Sequence, residues 1–92
     1  MTPQFSVGTQ GAHYGCEVVN RSSTYLTVRV GRIRPEPMRV AEATFNMHNA
    51  TQPPSVALEP GVPAGDEASM RADIKALAAE IRKQALAQPV AP

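Results

Sequence analysis

Ninety-two residues with a net charge of +1 and an aromatic content of 4%, with no tryptophan, hold one small core and its tails. A charge this close to zero excludes a generic polyanion binder, and no apolar run approaches the roughly 18 residues of a membrane-spanning helix. Cys16 stands alone, which excludes an internal disulfide framework and fits a reducing compartment.

The first ten residues, MTPQFSVGTQ, carry neither a basic cluster nor an apolar stretch of signal-peptide length, so the expected location is the cytoplasm. The sequons Asn20-Arg21-Ser22 and Asn49-Ala50-Thr51 then carry no meaning. Residues 5–7 form a short candidate strand, after which Gly8, Gly11 and Gly15 punctuate a loop. Residues 16–19 and 24–30 read as a hairpin, with Asn20, Arg21, Ser22 and Ser23 as its turn. In the second strand Leu26, Val28 and Val30 alternate with Tyr25, Thr27 and Arg29, giving one aliphatic face and one amphipathic face. Gly31 interrupts that strand before Ile33 continues it. A bulge there would shift the side-chain phase and bring Arg29 onto one face with Arg32 and Arg34.

Pro35-Glu36-Pro37 marks a turn into residues 38–48, where two periods compete. Ala41, Ala43, Phe45 and Met47 alternate as a strand does, whereas Val40, Ala43, Thr44 and Met47 fit a helical face; Thr44 and Phe45 favour the strand. The next stretch, NATQPPSVALEPGVPAG, contains four prolines and two glycines, so neither a central strand nor a helix interior can pass through it. Residues 50–65 are read as an extended connector whose Val56, Ala57 and Leu58 can dock on the domain. Residues 66–88 predict one amphipathic helix: Asp66 is the N-cap and Glu67 lies in the first turn, where it can pair with Arg71. Met70, Ile74, Leu77 and Ile81 recur at spacings of 4, 3 and 4, a single apolar stripe. Pro89 ends the helix, and residues 89–92 are read as a loose tail.

Few residues carry reactive chemistry. Cys16 with His13 or His48 is the one nucleophile–base arrangement, but a cysteine on a strand reads first as a small core hydrophobe. His13-x-x-Cys16 has metal-ligand spacing, yet a structural zinc site wants four ligands and no second cysteine exists. No phosphate loop, dinucleotide fingerprint or nucleophile elbow occurs, and the carboxylates are scattered. The sequence therefore reads as non-enzymatic, without cofactor or metal. Arginine is the better lead. Arg21, Arg29, Arg32, Arg34 and Arg39 fall within nineteen residues, with Tyr14 and Tyr25 nearby in the chain. Such a face pairs with acidic protein surfaces, contacts phosphates and bases, or simply solvates a sheet.

The segment VGTQGAHYGCEVVNRSSTYLTVRVGRI resembles a pattern in small phage- and plasmid-encoded proteins with an SH3-like β-barrel. Its elements would be Val7-Gly8, Tyr14, the strand and turn at residues 18–22, and the strand at residues 26–29. The resemblance implies a short accessory protein of a mobile element, acting in the bacterial host cytoplasm; proteins of this origin include inhibitors of host defence such as anti-CRISPR proteins.

The expected fold is α+β: a bent antiparallel sheet or partial barrel in a β-rich domain at residues 1–49, the connector at 50–65, and the helix at 66–88 packed on the sheet. The expected function is docking on a protein partner, with Arg21, Tyr25, Arg29, Arg32, Arg34 and Arg39 as contact residues. Nucleic-acid binding through the same arginines, and a structural role in an assembly such as a virion, are the alternatives. Self-association through the helix stripe is a further option, because the stripe can face the sheet or a second copy.

Overall fold

Strand-forming alternation along the first half of the chain yields a sheet in which every strand pairs with its neighbour in sequence. The computed structural model describes residues 3–34 and 36–91. Strands β1 (Phe5–Gly8), β2 (His13–Arg21), β3 (Tyr25–Arg34), β4 (Met38–Asn46) and β5 (Ser55–Leu58) form one antiparallel meander in the order β1-β2-β3-β4-β5. β1 and β5 are edges and do not meet, so the sheet is open. A 3-10 turn at Ala64–Asp66 then leads into helices α1 (Glu67–Ala76) and α2 (Ala78–Leu86). The protein is thus a small α+β structure with its helices at the C-terminal end.

One face of the sheet is apolar and is covered by the helices. Leu26, Val28 and Val30 of the central strand are fully buried there, flanked by Cys16 and Val18 of β2 and by Ala41, Ala43 and Phe45 of β4. The helices contribute Met70, Ile74, Ile81 and Ala85 to the same core. Each large aliphatic group so buried contributes about 1.5–3 kcal/mol. The opposite face is built from the alternate positions: Glu17, Thr27, Arg29, Glu42 and Thr44 lie side by side across β2, β3 and β4. Segment 38–48 is therefore resolved as a strand over Met38–Asn46, in register with β3 from Tyr25↔Asn46 to Arg32↔Met38.

Several expectations change. The helix is not continuous. Leu77 adopts φ −93° and ψ 0°, which separates α1 from α2, although Leu77 N–H still donates to Asp73 O and Ile81 N–H to Leu77 O, both at 2.9 Å. A straight rod follows a twisted sheet only briefly, and the bend lets Met70 and Ile74 on one side and Ile81 and Ala85 on the other all reach the core. Asp66 occupies the N-cap position but makes no side-chain capping bond. Arg71 does not pair with Glu67; its Nη1 donates to Val56 O on β5 at 2.8 Å, where an edge strand offers a free carbonyl.

Within the proline-rich stretch, Ser55–Leu58 pair with β4 as an edge strand, the one sheet position that neighbouring prolines permit. The first hairpin turn begins two residues later than expected, because Asn20 and Arg21 still belong to β2. Ser22 Oγ accepts from the N–H groups of Thr24 and Tyr25 at 3.2 and 3.0 Å. Of the Pro35-Glu36-Pro37 turn, Pro35 lies outside the described residues, as does Pro92 of the tail.

Residues 89–91 are tied down rather than loose. Val18 lies beyond the reach of β1, and its backbone is satisfied from elsewhere: its N–H donates to Gln4 Oε1 at 2.8 Å, and its carbonyl accepts from Ala91 N–H at 2.7 Å. Gln4 Nε2 meanwhile donates to Pro89 O at 2.7 Å, so one side chain joins β1, β2 and the C-terminal segment. Replacing Gln4 by Ala strips the Val18 N–H of its partner and removes the bond to Pro89 O, leaving Ala91 N–H on Val18 O to hold the tail. We expect Gln4→Ala to cost about 1–2 kcal/mol, read as a lowered urea midpoint at unchanged slope.

Candidate functional site

The phase of β3 decides which arginines can act together. Towards β2 the strand runs through Gly31 without a bulge, with Val30 opposite Cys16 and Gly31 opposite Gly15. The register shift beside Gly31 is in the pairing with β4, where Val40 is the extra residue. Arg29 and Arg32 therefore fall on opposite faces. A second shift, at Ile33, follows between Arg32 opposite Tyr14 and Arg34 opposite His13, and it returns Arg34 to the outer face.

Each predicted contact residue has its own setting. Arg21 Nη2 donates to Ala85 O at 2.8 Å and Gln88 O at 2.6 Å, closing the C-terminus of α2, where carbonyls lack helical partners. Arg29 sits mid-face: Nη1 reaches Glu17 Oε1 at 2.8 Å and Nη2 lies 3.9 Å from Glu42 Oε2, so its charge is spent within the sheet. Arg32 faces the helices and donates from Nε to Glu36 O at 2.9 Å. Tyr25, 54% exposed, stands at the far end of the outer face, opposite Asn46. Only Arg34 and Arg39, among the described residues carrying a guanidinium, make no hydrogen bond or ion pair. The structure thus does not assemble the six into one patch.

Arg34 and Arg39 do share one end of the outer face, and that end is apolar between them. A groove of about 490 Å³ is lined by Arg32, Ile33, Pro37, Met38, Arg39 and Pro3, beside Gly15 and Gly31. The two glycines are register partners, so two adjacent strands present no side chain at this point. Gly15 is also a site of close approach: a Cβ there would stand 2.8 Å from Pro3 Cβ and 3.1 Å from Ile33 Cδ1. Ile33 is 39% exposed, an uncovered branched aliphatic between two arginines. Reasoning from charge alone passed over Ile33, Pro37 and Met38. The Arg-Ile-Arg triplet at 32–34, with a glycine on the neighbouring strand position, was the available signal.

The reactive groups are not arranged for catalysis. Cys16 is buried in the core, and burial pushes its thiol up to about 12. Tyr14 is 2% exposed and donates its hydroxyl to Asp73 Oδ2 at 2.6 Å. Burial raises its pKa above the ordinary phenol range, and the hydrogen bond to Asp73 and that carboxylate's charge add to the effect, against a smaller opposing influence of Arg32. His13 is exposed on the outer side, over Gly8, and so does not accompany Cys16. Among the described residues no three His, Cys, Asp or Glu side chains come together to hold a metal ion, and no helix is long and apolar enough to cross a membrane. No protein-family model, no curated protein and no solved structure matches this chain.

Two measurements check this picture. Unfolded thiols and phenols titrate near about 8.5 and 10, below the folded values of Cys16 and Tyr14, so their contribution to stability is complete below pH ~8.5 and is lost as pH rises. The urea midpoint should hold constant near neutrality and fall above about pH 9. Tyr14→Phe should cost about 1 kcal/mol at pH 7 and flatten that fall. Arg29→Met leaves Glu17, only 8% exposed, without its cation. It should destabilise the protein by about 1–3 kcal/mol, and the double variant with Glu17→Gln should recover part of the loss in a mutant cycle.

Proposed function

We propose that the protein is a non-catalytic interaction module that docks on a protein partner through the open end of its outer sheet face. The observation that carries this reading is the groove at the exposed Ile33 and at Gly15 and Gly31, with Arg39 on its wall and Arg34 next to Ile33 in the strand, neither guanidinium engaged by a described residue. An aliphatic anchor rimmed by guanidinium groups suits a partner that presents an apolar side chain beside carboxylates, since Arg binds carboxylates in bidentate geometry and the apolar centre supplies the desolvated contact. Arg29 is excluded from that role by Glu17 and Glu42, and Arg21 by the end of α2. The resemblance of residues 7–33 to small SH3-like proteins of phages and plasmids supports an accessory role in a mobile element, with a host-defence protein in the bacterial cytoplasm as the target class.

Nucleic-acid binding finds less support, because the arginines that would track a phosphate backbone point to different faces. The tagged protein should retain one stoichiometric protein from bacterial lysate after nuclease treatment, identified by mass spectrometry. The double variant Arg34→Glu/Arg39→Glu should lose that partner while keeping its circular dichroism spectrum. Retention by the variant would remove this surface from consideration. Recovery of nuclease-sensitive material alone, with affinity falling by about one log unit per log unit of salt for each contact, would transfer the function to nucleic acid.

A further inference from the structure

A second, polar recess of about 300 Å³ lies on the other side of the sheet, between the β1–β2 loop and α1. Tyr14 and Arg32 enter it from the strands, and Asp66, Ser69 and Asp73 from the helical side. It thus holds one guanidinium and two carboxylates, yet among the described residues the ion pairs within 4.0 Å all belong to Arg29. Two of the three charges are held from behind instead. Asp73 receives the Tyr14 hydroxyl on Oδ2, and Oδ1 makes no hydrogen bond to a described residue. Arg32 is anchored through Nε to Glu36 O, which leaves both Nη groups unengaged among the described residues. The loop wall is itself closed by hydrogen bonds: Thr9 N–H donates to Ala12 O at 2.8 Å, and Thr9 Oγ1 accepts from Gly11 and Ala12 N–H at 3.3 and 3.2 Å.

Opposite charges around one small opening attract a molecule that carries both signs, although Asp66 and Ser69 are exposed and solvent screens part of that attraction. A bridging molecule can make the contacts that these groups, lying beyond 4.0 Å of one another, do not make directly. We propose that this recess binds a small zwitterion of the α-amino-acid class. The ligand carboxylate lies on the two Nη groups of Arg32, whose planar fork matches it, and the ammonium lies between Asp73 Oδ1 and Asp66. Ser69 and the Tyr14–Asp73 bond fix the side on which the ammonium sits. The volume stands at the small end of ligand pockets and suits a compact polar molecule. Arg34 and Arg39 take no part; Arg32 also lines the outer-face groove, so it is Asp66→Asn, at a residue outside that groove, that separates this site from the docking surface.

Glycine and serine are the probes, titrated into the 15N-labelled full chain and followed by amide chemical shifts, with acetate and methylammonium as singly charged halves. The amides of Gly11, Ala12 and Ser69 should shift saturably with both amino acids and about tenfold more weakly with either half, since each half makes only one of the two charge-assisted contacts. Arg32→Gln and Asp66→Asn should each weaken binding about tenfold or more. Asp66 is exposed and makes no side-chain bond, so its variant keeps the fold and isolates the ammonium contact. An absence of saturable shifts up to about 100 mM amino acid, an equal response to the halves, or unchanged affinity in both variants would each overturn the proposal.

Discussion

The burial of one face of the sheet beneath Met70, Ile74, Ile81 and Ala85 is the contact on which the rest of this structure depends. A meander with a single apolar face cannot stand in water uncovered, and this chain has few large side chains with which to cover it. The helices meet that need with four residues over two short segments. Because the seam is narrow, its margins are secured by directional bonds. Arg71 holds the β5 edge, Arg82 Nη1 donates to Asn46 O at 2.8 Å at the end of β4, Arg21 closes α2 against β2, and Tyr14 fastens α1 from within. Arginine serves here largely as a backbone clamp, since a guanidinium can reach a carbonyl across a gap that the apolar residues do not fill.

That use of arginine reshapes the functional question. The sequence holds its arginines close together, and proximity in sequence encourages the picture of a single cationic patch. In the fold the charges are divided among helix ends, the sheet interior and a sheet corner, and most are consumed by intramolecular partners. What remains for an external partner is small: Arg34 and Arg39 around Ile33, on the face opposite the helices. The polar recess at Arg32, Asp66 and Asp73 lies on the helical side and draws on carboxylates that the groove lacks, with Arg32 common to both linings. A protein this small can thus offer two chemically distinct surfaces, because its sheet has two faces and only one is occupied by core.

The hairpin of β2 and β3 at the centre of the meander was legible from the residues, whereas two periods compete over β4 and the residues of β5 read as connector. Alternation of Leu26, Val28 and Val30 against Tyr25, Thr27 and Arg29 identifies a half-buried strand, and the Ser-rich turn before it forces a hairpin. The stripe at 70, 74 and 81 likewise locates the helical layer, because those spacings place apolar groups on one side only of a 3.6-residue period. Cys16 as a core residue follows from its place on the buried side of β2.

Tertiary structure decided the rest, for physical reasons that a local pattern does not contain. Whether Arg29 joins Arg32 depends on which strand absorbs an extra residue, and the answer, Val40 on β4, is settled by pairing between strands. The bend at Leu77 answers to the twist of the sheet below it, with neither proline nor glycine to announce it. The partnership of Tyr14 with Asp73 spans 59 residues and exists only because the fold brings α1 within reach of the Tyr14 hydroxyl. Periodicity is a property of neighbours along the chain and so determines elements and their faces. Register, clamps and charge partners are properties of neighbours in space and emerge only when the faces are put together.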